Sequence, residues 1–236
     1  MKPIIKVDRV CSIQEAITLQ ELGVDIISIT PETNKYKWFD DRRQISTDIV
    51  CQMQEVITKA KYCVEVSLAD INKNSSLIES NVFDTIEFLT QEIPNLAIQQ
   101  KIKERKINII YSGISVSHDD DPSWIFSSYE NIENFDGILF QIDLLSEFTD
   151  SWNFLKYECP QYPNEIQVED INRLSLDFPM IITLDFSVDN IKDILRTFPK
   201  IKGISFRLGE KPTRNDLHYI SFFALISVLN VLNEIY

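Results

Sequence analysis

Glycine is scarce in this chain of 236 residues, which has five, and histidine is scarcer, with two. So few glycines leave no flexible Gly-rich linker, and no low-complexity tract or tandem repeat longer than a strand-helix unit breaks the sequence. The four cysteines, Cys11, Cys51, Cys63 and Cys159, form no C-x-x-C pair and have no closely spaced histidine. This excludes both a zinc module and a disulfide scaffold and points to reduced thiols. Basic residues are outnumbered 36 to 23, a formal net charge of −13. Such a surface repels nucleic acid and anionic lipid, so neither is expected as a partner. No run approaches the roughly 18 apolar residues of a membrane span, and the apolar start from Pro3 to Val7 is too short for a signal sequence. A cytoplasmic protein is expected, and nothing calls for a metal or a cofactor.

What is present is a regular alternation of strand and helix signals. The run Pro3 to Val7 precedes Ser12-Ile13-Gln14-Glu15, a capping-box pattern, and a helix that closes at Gly23. Val24 to Thr30 is β-branched and almost wholly apolar, as a parallel strand buried on both faces should be. An amphipathic stretch with Ile45, Ile49, Met53, Val56 and Ile57 follows it. Further strands are predicted at Tyr62 to Ser67, Thr85 to Phe88, Ile107 to Tyr111, Gly137 to Ile142, Met180 to Leu184 and Gly203 to Phe206. Helical patterns separate them at Asp70 to Ser80, Asn95 to Lys103, Pro122 to Ile132, Val168 to Asp177, Val188 to Thr197 and Asn215 to Glu234. Eight such units predict one domain over residues 1–236, an α/β chain folded as a (βα)8 TIM barrel with eight parallel strands inside a ring of helices. The stretches Ser112 to Asp121 and Leu144 to Gln167 follow strands and are candidate substrate-covering loops.

Several segments carry a resemblance. Ile5-Lys6-Val7-Asp8-Arg9-Val10-Cys11-Ser12-Ile13, followed by Glu21-Leu22-Gly23-Val24-Asp25, is similar to the start of phosphoribosylanthranilate isomerase. Asn34-Lys35-Tyr36, Phe135-Asp136-Gly137-Ile138-Leu139-Phe140, Ile181 to Ile191 and Gly203 to Glu210 resemble later segments of that family, in order along the whole chain. The resemblance implies a (βα)8 barrel and Amadori-type aldose–ketose isomerisation of a small molecule. That reaction needs a base at C2 and an acid to open the ring.

The chemistry-bearing positions differ from the family pattern. Asp8 stands at the family's catalytic cysteine and Arg9 at the glycine after it. Gln141 falls on its acid, with Asp143 two residues on and facing the same side of the strand. Leu184-Asp185 replaces a glycine pair at the phosphate, and Arg207-Leu208 replaces two serines. The related ribonucleotide isomerase of histidine synthesis uses an aspartate at the end of its first strand, which makes Asp8 a candidate base and Asp143 a candidate acid. Asp8 also reads as half of a salt bridge with Arg9 or Arg207. Lys35, Arg207, Asp185 and Arg9 are candidate substrate contacts, Lys35 at the family's carboxylate-binding arginine. Asp185 and Arg207 equally read as a mutual ion pair filling a vacated phosphate site.

Other residues have plainer readings. Asp119-Asp120-Asp121 reads as a charge cluster at a helix N-terminus before Pro122. His118 and His218 read as surface or helix positions. The aromatics Trp38, Phe39, Trp124, Trp152, Tyr157 and Tyr162 read as loop packing or as the floor of a pocket. The apolar C-terminal helix suggests a homodimer or a partner-protein contact. Three functions are carried forward. The first is an isomerase related to phosphoribosylanthranilate isomerase with an altered substrate. The second is a catalytically inactive barrel used for binding or scaffolding. The third is a diverged enzyme of specialised metabolism acting on a non-phosphorylated substrate.

Overall fold

A computed structural model describes residues 2–32, 43–73, 78, 82–89, 92–132, 134–209 and 218–236. The strands are β1 (Ile4–Asp8), β2 (Ile26–Pro31), β3 (Gln44–Ile45), β4 (Lys61–Val66), β5 (Thr85–Leu89), β6 (Asn108–Val116), β7 (Ile138–Leu144), β8 (Met180–Thr183), β9 (Gly203–Leu208) and β10 (Tyr219–Ile220). Eight of them run parallel in the order β1-β2-β4-β5-β6-β7-β8-β9, and β9 pairs back onto β1 from Ile4↔Gly203 to Asp8↔Arg207. The sheet is therefore a closed barrel. The two-residue strands β3 and β10 lie outside this ring, on β2 and β9. The described helices are α1 (Ile13–Glu21), α2 (Thr47–Val56), α3 (Leu68–Lys73), α4 (Leu96–Arg105), α5 (Val168–Asp177), α6 (Ile191–Thr197) and α7 (Phe222–Ile235), with short helical turns between them. No helix among the described residues is long and apolar enough to cross a membrane.

Local signals place these elements. Ser12 caps α1 by accepting a hydrogen bond from Glu15 N at 3.2 Å, and Glu15 answers by accepting from Cys11 N at 3.0 Å. Gly23 closes the turn after α1 at φ +80°, where an L-residue is strained. In α5 the cap is Gln167, reciprocated by Asp170. The Pro122 to Ile132 segment departs from expectation. It forms two single turns, Pro122–Trp124 and Ser127–Tyr129, not an α-helix. Asp121 caps the first turn by accepting from Ser123 N, and Phe126 and Tyr129 turn into an aromatic cluster around Phe140. Packing of these large rings overrides the weak helical pattern. The expected loop at Ser112 to Asp121 is in part strand, because β6 continues through a bulge at Gly113, φ +79°, to Val116.

Alternation along each strand decides what faces where. Ile5, Val7, Ile27, Ile29, Val64, Ile86 and Phe88 join one cluster with Ala16, Leu19 and Met53 of the helices. The opposite set is apolar only near the strand starts, where Ile26, Cys63 and Ile110 pack with Ile4 and Leu139 as a small plug. Above the plug the same face carries Lys6, Asp8, Ser28, Glu87, Gln141, Asp143, Ser205 and Arg207, all buried. The strands thus read as apolar on one side and charged on the other, although both sides are shielded from water.

Gly203 begins β9 against β1, and a Cβ there would collide with the carbonyl oxygen and side chain of Ile4. Gly203→Ala should therefore force the closing seam apart and cost about 1–3 kcal/mol or more. Urea melts check this, and unchanged stability would show that the seam is slack.

Candidate active site

Lys6 lies on β1, fully buried, with its ammonium among inward side chains of β1, β5 and β7. It hydrogen-bonds the Asp8 carboxylate, donates to Gln141 Oε1 at 2.6 Å and pairs with Glu87 Oε2 at 2.9 Å. Gln141 turns its amide to Asp8 Oδ2 at 2.7 Å, and Ser205 Oγ donates to the same oxygen at 2.7 Å. Ser28 Oγ donates to Glu87 at 2.6 Å. Burial opposes charge on both Lys6 and Asp8. The Asp8 and Glu87 carboxylates nevertheless raise the Lys6 pKa, and the Lys6 ammonium and Arg207 guanidinium hold Asp8 below its ordinary value. The group beside Asp8 is thus Lys6, two residues back on its own strand, with Arg207 acting at longer range.

Arg207 is Asp8's neighbour across the β1–β9 seam, and its Nη1 donates to Asp143 Oδ2 at 2.9 Å. Burial works against its charge, but Asp143 and Asp8 raise its pKa. The expected partner, Asp185, lies elsewhere. Its Oδ1 accepts from Ser151 Oγ at 2.6 Å and from Trp152 N at 2.8 Å. The anticipated Arg207–Asp185 ion pair is not formed, because Asp143 projects from β7 toward β9 while the loop after β7 folds Ser151 over Asp185. Burial raises the Asp185 pKa, although Ser151, Trp152 and His218 pull it down. Arg9, at φ +63°, is buried, with Nη1 donating to Tyr219 Oη at 3.1 Å and its guanidinium over the Tyr219 ring. Lys35, Trp38 and Phe39 lie outside the described residues.

Two groups were not singled out from the sequence. One is Lys6, whose i, i+2 spacing from Asp8 puts both on one strand face. The other is His218, which falls within the predicted helix Asn215 to Glu234. The structure corrects this: α7 starts only after its Ser221 cap, leaving Tyr219–Ile220 to extend the sheet as β10. His218 is consequently buried beside Asp143 rather than at the surface, with Nδ1 at 2.8 Å from Asp143 Oδ1 and a side chain 8% exposed. Its Nε2 has no hydrogen-bond partner among the described residues, and neither has Thr183 Oγ1. A buried polar atom left so costs about 1–3 kcal/mol. Both residues line a cavity of about 340 Å³ at the C-terminal ends of β8 and β9, with Asp185, Arg207, Ser205 and the rings of Phe186, Phe206 and Tyr219.

Glu65 is the remaining carboxyl at this end. It is partly exposed, next to Glu87 on the neighbouring strand, and Thr30 Oγ1 lies 3.5 Å from it. Burial first, then Glu87 and Asp8, push its pKa up to about 8 against the pull of Arg207 and Lys6. The arrangement holds a carboxylate kept ionised, a carboxyl kept protonated and a carboxylate-oriented imidazole, which together suit proton transfer.

No protein-family model matches the chain, and no curated protein matches it either. Among solved structures it is similar to phosphoribosylanthranilate isomerase from Pyrococcus furiosus, with a TM-score of 0.65 at 11% identity over 98% of this chain and 99% of that one. It is also similar to monomers of the dimeric phosphoribosylanthranilate isomerase from Thermotoga maritima, with a TM-score of 0.63 at 11% identity over 98% and 99%. A Thermotoga maritima phospho-2-dehydro-3-deoxyheptonate aldolase matches as well, with a TM-score of 0.58 at 13% identity over 98% of this chain and 68% of that one. The fold is that of the phosphoribosylanthranilate isomerases, a (βα)8 barrel. An aldolase on a similar barrel shows that the architecture alone does not name the reaction.

Lys6→Met should strand Asp8 and Glu87 without their cation and cost about 3–5 kcal/mol in denaturant melts, whereas a loss under 1 kcal/mol would mean water reaches them. Glu65 titrates in the opposite sense to Asp8. Its raised folded pKa adds stability that is complete below its ordinary 4.5, declines as pH rises and is gone above about 8. Glu65→Gln should therefore flatten the wild-type loss of stability over that window. An unchanged pH slope would assign the loss to another group.

Proposed function

We propose that this chain is an acid–base isomerase that moves a proton between adjacent carbons of a small polyfunctional carbonyl compound, at the cavity between β8 and β9. The observation that carries the reading is the Asp143–His218 pair: the carboxylate fixes Nδ1, and the opposite ring nitrogen is left without a partner beside the cavity. A carboxylate behind an imidazole orients it and stabilises the charge it gains on accepting a proton. In aldose–ketose conversion His218 Nε2 takes the proton from C2. Asp185, whose proton-bearing form burial favours, protonates the ring or carbonyl oxygen. The proton on His218 then returns at C1 while the C2 hydroxyl gives its proton back to Asp185, so a carbonyl forms at C2 and both groups regain their starting protonation without redox partners.

The carboxylates first expected as base and acid keep parts in this reading. Asp143 acts through His218. Both oxygens of Asp8 are occupied and its pKa is lowered, so it is a weak proton acceptor, and its part is to hold Lys6 and face Arg207. Arg207 is committed to Asp143, so its contribution to substrate binding is through the N–H groups it does not spend there.

One observation favours the alternative of a binding or scaffolding barrel: the chain's own ion pairs occupy the barrel axis, where a substrate would otherwise sit. Deuterium incorporation decides between the two. Aldoses, ketoses and their monophosphates are incubated with the protein in D2O and followed by proton NMR. Exchange at C2 or C1 that His218→Asn slows by about a hundredfold or more, and Asp143→Asn comparably, is expected. Exchange undiminished in His218→Asn removes the proposed base, and no exchange with any compound favours the binding barrel.

A further inference from the structure

The walls of the cavity constrain what it can hold. Residues lining it bring a hydroxyl without a partner among the described residues, Thr183 Oγ1, a ring nitrogen without one, His218 Nε2, and the Asp185 carboxyl, which accepts from Ser151 and Trp152 through Oδ1, beside the hydroxyl side chains of Ser146, Thr149, Ser205 and Tyr219. These groups ask for ligand atoms that donate and accept in turn, which is what hydroxyl groups do. Its charge balance is unfavourable to an anion. Among the described residues the cation on its wall is Arg207, held by Asp143 at 2.9 Å, while Asp185 adds a carboxyl on the adjoining strand end. A dianion there would meet the Asp185 carboxyl beside a guanidinium already paired with Asp143. Phe186 and Phe206, with ring centroids 5.1 Å apart, and Tyr219 supply flat apolar faces of the kind that cover C–H bonds. The volume, about 340 Å³, suits a small compound.

We infer that this cavity binds a neutral, polyhydroxylated and unphosphorylated ligand, a free sugar or close relative, and that Asp185 is the residue that rejects its phosphate ester. The inference rests on the proposed substrate cavity and adds the class of compound it accepts. Thr183 and His218 hold ligand hydroxyls. Asp185 accepts a third when ionised and donates to it when protonated, whereas a phosphate at the same place finds only repulsion or a weak neutral donor.

Amide-resolved NMR titration of the full chain with free aldoses and ketoses of five and six carbons, and with the corresponding monophosphates, tests this. At least one free sugar should shift resonances of residues lining the cavity and bind at least tenfold more tightly than its own monophosphate. Thr183→Val, which removes the hydroxyl at nearly constant volume, should weaken that sugar about tenfold while melting no lower than wild type, since it relieves a buried hydroxyl without a partner. Asp185→Asn should narrow the gap between sugar and phosphate. If Asp185→Asn unfolds, the Thr183→Val result and the wild-type ranking decide alone. The inference fails if monophosphates bind as well as or better than free sugars, if no free sugar reaches the cavity, or if Thr183→Val leaves binding unchanged. Failure of the isomerase reading looks different: a free sugar that binds at the cavity without taking up deuterium sinks the reaction and leaves the ligand class standing, while exchange confined to monophosphates does the reverse.

Discussion

An ammonium ion with no exposure to water has to be neutralised where it stands, and that requirement at Lys6 organises the interior of this barrel. Desolvating the charge is tolerable only because two carboxylates, Asp8 and Glu87, and the Gln141 carbonyl converge on it from three strands. Each of those groups is in turn fixed by another. Asp8 is held by Gln141 and Ser205, and Glu87 by Ser28. From Asp8 the chain of charges passes across the closing seam to Arg207, then to Asp143 and His218. The position of the imidazole at the mouth is thus tied, through alternating charges, to a lysine near the middle of the barrel.

The same lattice sets the protonation of its members. Lys6 and Arg207 are the two cations on the axis, against Asp8, Glu87, Asp143 and Glu65. With four acids and two bases in one low-dielectric volume, full ionisation is costly, and the acid least well served by cations retains its proton. That acid is Glu65, which has no ion-pair partner among the described residues and whose pKa stands near 8. Asp8, in direct contact with Lys6, is driven the other way. Two carboxyl groups of ordinary chemistry are separated into a permanent anion and a proton carrier by position alone.

The barrel was legible in the sequence because its signals are repetitive and local: eight apolar runs, the capping box at Ser12 and a closing Gly23. The outer face of every strand obeys the hydrophobic rule that such reading relies on. The inner face does not. Asp8, Asp143, Asp185 and Arg207 could be placed near strand ends, yet their partners could not be paired, since Lys6–Glu87 and Arg207–Asp143 join residues 81 and 64 positions apart. Asp185 was matched with Arg207 because adjoining strand ends bring them near. The actual contact depends on a side chain's direction and on where the loop after β7 returns Ser151, neither of which a periodic pattern encodes. His218 was missed for a different reason. Apolar residues on both sides extend the helical pattern backward through it, and only the Ser221 cap marks the true start.

The two-residue strand β10 decides how the imidazole is anchored. It pairs Tyr219 with Arg207 and Ile220 with Leu208, and Gly209 N donates to Ile220 O at 3.1 Å, so a short backbone splice brings His218 to the rim. Asp143 belongs to the framework strand β7, whereas the imidazole it orients arrives on this appended piece. The pair is therefore assembled from two layers: Asp143 belongs to the closed ring, and His218 is held by a strand added outside it. A change confined to the β9–β10 pairing would move the imidazole while the eight-stranded ring and its buried charges stay as they are.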